Sequence, residues 1–191
     1  RGRVESRLQE GAVEEHSAWQ GGAVGVKKTQ HDILSSCRLS RTSTYNAILR
    51  SVEKKMGWGI TTDRQLTKAG KELGTFPSDT KPIYILSHIT ECESQYFIIN
   101  VDGSTEPGSH WMAVADMGAP QGAGHPRFII YDSFARKSKR LIPKFIKTLG
   151  YKYIDINRKS DQHVKETNCG QRSLAFLLFL KKYGYYEASK I

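Results

Sequence analysis

The sequence predicts an α+β fold, a central mixed sheet of about four to five strands packed between helices. Three observations predict it. Tyr45, Ile48, Leu49, Val52 and Met56 recur at helical spacing, whereas Tyr96–Val101, Trp111–Met117 and Phe128–Tyr131 are short apolar runs parted by Gly- and Pro-rich loops. Near the end, Gly170–Tyr183 is apolar on most sides, as a buried helix must be.

Each element follows in order. Residues 1–41 carry Gly11, Gly21, Gly22 and Gly25 among charges and small residues and read as a flexible or extended arm, leaving 42–191 as the folded domain. The first helix takes Thr42 or Ser43 as its N-cap and stops at Gly57. A second runs over about Asp63–Leu73, opened by Thr62 or Asp63 and closed by Gly74. After the three apolar runs, Leu141–Leu149 reads as a helix with Pro143 in its first turn and Gly150 beyond. Tyr151–Ile156 alternates as a further strand, and Lys181–Lys182 and Gly184 close the last helix.

Bulk properties narrow the function classes. A chain of 191 residues suits one domain with a sizeable core, and no run approaches the ~18 apolar residues of a membrane span. No secretory leader pattern opens the chain, so an intracellular, reducing compartment is expected. Cys37, Cys92 and Cys169 are odd in number and far apart, and the histidines lack ligand spacing, so neither a disulfide framework nor a metal site is expected. The formal charge of +10 favours DNA or another polyanion as a non-specific partner. Solvated surface explains the same lysines, and no nucleic-acid-binding motif is present.

Four short pieces carry chemistry: Gly108-Ser109-His110-Trp111, Tyr131-Asp132-Ser133-Phe134, Gln162, and Asn168-Cys169-Gly170. Taken singly, each has an ordinary structural explanation: a histidine at a strand mouth, an aspartate turn former, a cysteine packed as a small hydrophobe. Together they supply what thiol chemistry needs. A thiol is a poor nucleophile until deprotonated, and a nearby imidazole and a helix N-terminus both favour the thiolate. Cys169 stands where the last helix begins, His110 is the candidate base, and Asp132, on the adjacent predicted strand, can orient the imidazole. Gln162 and the Cys169 backbone N–H are candidate donors to an oxyanion. Gly170 permits a tight turn and close approach of a substrate, and Trp111 reads as a plain core aromatic.

The order His-Trp, Asp-Ser-Phe, Gln, Cys-Gly resembles the adenovirus protease (adenain) family and the wider group that includes the SUMO and other ubiquitin-like proteases. Gln162 stands seven residues before Cys169, which resembles the adenovirus spacing. Thr61-Thr62-Asp63 through Lys71-Glu72-Leu73-Gly74, and Ile99-Asn100-Val101 followed by Glu106-Pro107-Gly108-Ser109-His110-Trp111, are similar to segments of adenain-like proteases of viruses and large mobile elements. The resemblance covers about Met56–Tyr183. Asp132 stands where the adenovirus enzyme has Glu and the SUMO proteases have Asp.

The resemblance implies a thiol protease of virion maturation with His110 as base, Asp132 as its partner, Gln162 as oxyanion donor and Cys169 as nucleophile. Trp111 and Gly170 would line the substrate. It further implies protein substrates with Gly-Gly or Gly-X near the cut, an activating peptide joined through a spare cysteine, stimulation by DNA, a monomer, and a place in the host nucleus and virion. Trp19-Gln20-Gly21-Gly22-Ala23 is similar to such a site, so self-cleavage after Gly22 is a further expectation. Two alternatives stay open: a ubiquitin-like deconjugase using the same four residues, and a basic nucleic-acid-binding virion protein with an inert frame.

Overall fold

The computed structural model describes residues 30–85, 94–101, 110–118, 127–135, 153–155 and 159–191; for 30–41 and 153–155 it describes the backbone alone. Among the described residues three helices, α1 (Gln30–Met56), α2 (Asp63–Glu72) and α3 (Cys169–Ala188), accompany five strands. These are β1 (Ile83–Ile85), β2 (Tyr96–Asn100), β3 (Trp111–Asp116), β4 (Phe128–Tyr131) and β5 (Tyr153–Asp155), lying in the order β1-β2-β3-β4-β5. The outer pairs, β1 with β2 and β4 with β5, are parallel, and the inner pairs are antiparallel, so the sheet is mixed.

Alternation along the strands sorts their side chains onto two buried faces. Ile98, Trp111, Ala113, Ala115, Ile129 and Tyr131 face the helices, packed with Tyr45, Leu49 and Val52 of α1, Leu66 and Ala69 of α2, and Leu174–Leu177 of α3. Phe97, Ile99, Met112, Val114, Phe128 and Ile130 form the other layer. Burial on both faces explains why these strands read as continuous apolar runs. Small Ala113 and Ala115 let α3 lie close to the middle strand, and buried Ser173 donates from its Oγ to the Trp111 carbonyl at 3.1 Å. This pairing sets the start of α3 beside the start of β3.

Several expectations shift. The first helix begins at Gln30, so the boundary drawn at 41/42 falls inside it. Thr42 and Ser43, expected as caps, are interior helix residues. Strand β1, only three residues long, had no signal of its own. Helix α2 matches its signals closely: Thr62 caps it in a full capping box with Gln65, and Gly74 follows with φ +71°. Gly184 interrupts α3 with φ 79° where the helix was expected to stop, and a further helical turn then continues to Ala188. The helix expected at 141–149, the Gly22 site, Cys92 and the Cys37 side chain lie outside the described residues. Among the described residues no helix is long and apolar enough to cross a membrane.

Candidate active site

His110 is the residue immediately before β3, and the ladder continues through it: Val101 N–H donates to the His110 carbonyl at 2.9 Å. Asp132 immediately follows β4, the antiparallel neighbour. The two strand ends therefore meet, and His110 Nε2 donates to Asp132 Oδ1 at 2.7 Å, with both side chains buried. Asp132 is itself fixed by a tight turn: Phe134 N–H donates to Oδ1 at 2.9 Å and Ala135 N–H to the Asp132 carbonyl at 2.8 Å. The Phe134 ring lies against the imidazole, with centroids 5.0 Å apart.

The Cys169 thiol is the imidazole's second polar neighbour, close enough to act on its protonation. With Nε2 committed to Asp132, Nδ1 is the nitrogen left to serve the sulfur. Burial alone would strip the proton from His110; the hydrogen bond to Asp132, the nearby thiol and the charges behind them outweigh burial and push its pKa up to about 9. Cys169 is 7% exposed and is the first residue of α3. Asn168, the N-cap, makes no side-chain cap bond: its Oδ1 accepts from Arg172 Nε at 3.1 Å, while its amide donates to Glu53 Oε1 at 2.8 Å. The sulfur thus sits beside the imidazole and at the start of a helix, largely screened from water.

Gln162 is 4% exposed, and its amide is held at both ends. Ser133 Oγ donates to its Oε1 at 2.5 Å, and its Nε2 donates to the Glu166 carbonyl at 2.7 Å, leaving one N–H that an oxyanion can use. The Ser133 carbonyl accepts from Asp161 N–H and Gln162 N–H, both at 3.1 Å. Asp132 and Ser133 thus divide the work: one residue binds the histidine and the next binds the loop that carries the amide.

Trp111 and Gly170 meet on the protein side of the nucleophile. Trp111 is buried in the helix-facing core, and its Nε1 donates to the Thr61 carbonyl at 3.2 Å. A Cβ on Gly170 would collide with Thr61 Oγ1 and stand 3.2 Å from both Leu66 Cδ2 and Trp111 Cδ1. Glycine here follows from packing on the sheet and on α2, a different reason from the room for substrate that the sequence suggested.

Sequence reasoning missed several supports. Arg172, one turn into α3, binds Asn168, Asp161 and Glu166, and Gln171 Nε2 donates to the Gly57 and Gly59 carbonyls at 2.9 and 3.0 Å. Their signal was a pair of polar residues opening an otherwise apolar helix. Tyr45 and Tyr131 converge on Asp161 Oδ2, where burial, with that carboxylate beside them, raises both phenols above their ordinary range. Among the described residues, no group of three or more His, Cys, Asp or Glu side chains could hold a metal ion.

Comparison with protein-family models, curated proteins and solved structures returns no match. The constellation itself defines the chemical class: a thiol at a helix start, coupled to an imidazole that a carboxylate holds, beside a fixed amide.

Proposed function

We propose that the chain is a cysteine endopeptidase of the adenain type, cutting protein or polyprotein substrates near glycine. The observation that carries this reading is the His110 imidazole engaged by Asp132 at 2.7 Å and coupled to the Cys169 thiol. In the proposed reaction the Cys169 sulfur attacks a peptide carbonyl, and the oxyanion receives the Cys169 N–H and the remaining Gln162 N–H. His110 then protonates the leaving amine from Nδ1, giving a thioester that water hydrolyses with the imidazole as base. Asp132 keeps the ring oriented and stabilises its charge. The order of motifs shared with adenain supports the viral branch, and the charge of +10 supports a nucleic acid as second partner.

Iodoacetamide followed by mass spectrometry tests the thiol. Cys169 should alkylate faster than Cys37 and Cys92 and lose that advantage in His110→Ala; equal rates for the three cysteines would reject the assignment. Short peptides with Gly-Gly or Gly-X sites should be cut by the wild type and spared by Cys169→Ala. Cleavage confined to folded ubiquitin-like conjugates would turn the reading to a deconjugase.

A further inference from the structure

We propose that Arg172 is the positioning residue for the oxyanion side of this site, a reading that rests on the proposed peptidase chemistry: its guanidinium, carried on the nucleophile's own helix, holds the loop that aims the Gln162 amide. The stretch from Ser160 to Asn168 joins the sheet to Cys169 without regular secondary structure, apart from a turn closed by Glu166 N–H on the His163 carbonyl at 2.9 Å. Its shape therefore has to come from side chains. Arg172 Nε donates to Asn168 Oδ1 at 3.1 Å, Nη1 to Asp161 Oδ2 at 3.2 Å and Nη2 to Glu166 Oε2 at 3.0 Å. One buried fork thus grips the residue before Cys169, the residue before Gln162, and the residue whose carbonyl receives the Gln162 amide.

Each contact leads on to the site. Glu166 Oε2 also accepts from His163 N–H at 2.9 Å, so the ion pair with Arg172 fixes the turn that presents its carbonyl to Gln162. Asp161 shares its oxygen with Tyr131, whose strand ends at Asp132. Asn168 is anchored from the other side by Glu53 of α1. A planar guanidinium meets three acceptors at once; an ammonium cannot reproduce that fork. Removing it leaves two carboxylates facing each other and the Gln162 amide without a fixed acceptor.

Arg172→Gln tests this in the full chain. Hydrolysis of a Gly-X peptide needs the oxyanion donors, so kcat should fall roughly 10²-fold, with KM little changed. Alkylation of Cys169 by iodoacetamide forms an S–C bond as iodide leaves and makes no oxyanion, so its rate should stay within about twofold. Arg172→Lys, keeping the charge without the fork, should fall between. By hydrogen exchange, amides of 161–168 should lose protection about tenfold while Leu174–Leu180 keep theirs. The proposal is overturned if hydrolysis and alkylation fall together with protection along the whole helix, or if a folded variant keeps both its hydrolysis and its loop protection. Where Arg172→Gln does not fold, Arg172→Lys carries the same comparison. If the wild type cuts no peptide, the peptidase reading fails by itself, and unchanged loop protection in the variant would separately remove the clamp.

Discussion

Asp132 acts on His110 in two ways that mutation can separate. As a hydrogen-bond acceptor it selects the nitrogen left facing the thiol, and as a charge it holds a proton on a ring that burial would otherwise neutralise. Asp132→Asn keeps most of the shape and loses the charge. The His110 pKa, followed by NMR titration of the ring, should drop from about 9. Peptide turnover should fall by about 10⁴-fold, the loss expected when the imidazole is held in the wrong tautomer. An unchanged titration in Asp132→Asn would show that the carboxylate does not govern the ring. Stability follows with a definite sign. The folded pKa lies above the unfolded value of 6.5, so the native state binds the extra proton between the two. The stabilisation is therefore fully present below about pH 6.5 and lost as pH rises through about 9. Urea midpoints of wild type and Asp132→Asn should converge across that interval.

Helix α3 is placed by its smallest residues. Gly170 touches Thr61, Leu66 and Trp111 where no Cβ fits, and Ser173 binds the Trp111 carbonyl three residues later. Gly170→Ala should cost about 1–3 kcal/mol in urea unfolding, because overpacking forces the helix start away from β3, and it should slow Cys169 alkylation as the sulfur leaves His110. Thr62→Ala makes the contrast. It deletes the capping box of α2, at a cost of about 1 kcal/mol, and should leave alkylation unchanged. These two elements also mark how far the sequence was legible. Helix α2 could be read to within a residue because its cap and glycine stop are local chemistry, and β2–β4 because both faces are apolar. The first half of α1 could not: Ser35, Ser36, Ser40, Thr42 and Ser43 favour caps over helix interiors, so local chemistry there points away from the helix that forms. His110, Asp132 and Cys169 stood out because thiol chemistry needs those residue types, while their order was read only from the resemblance to adenain-like proteases. Arg172 and Ser133 escaped because their roles depend on a loop whose path no periodicity encodes.

The proposed nucleic-acid partner calls for a basic face away from Cys169. Lys181 and Lys182 of α3 come beside α1, because the two helices pack against each other. Lys181 and Lys182 line a concavity of about 370 Å³ with Ile48, Ser51 and Val52 of α1, and Lys181 Nζ donates to the Gly74 carbonyl at 2.6 Å. Twelve residues of helix separate Lys181 from Cys169, roughly 18 Å along the axis, so substitutions at Lys181 and Lys182 can be read independently of the thiol. With a net charge of +10, a random-sequence DNA duplex should bind with a dissociation constant on the order of 10⁻⁴–10⁻⁶ M at physiological salt. Binding should weaken linearly on a log–log plot against salt, as counterions are no longer released to advantage. Lys181→Glu with Lys182→Glu, both exposed, should lower affinity and flatten the salt slope while Cys169 alkylation stays at its wild-type rate. Fluorescence anisotropy at several salt concentrations reads both quantities. An affinity indifferent to salt, or to these two reversals, would show that Lys181 and Lys182 are solvated surface and that the charge serves no nucleic acid at this face.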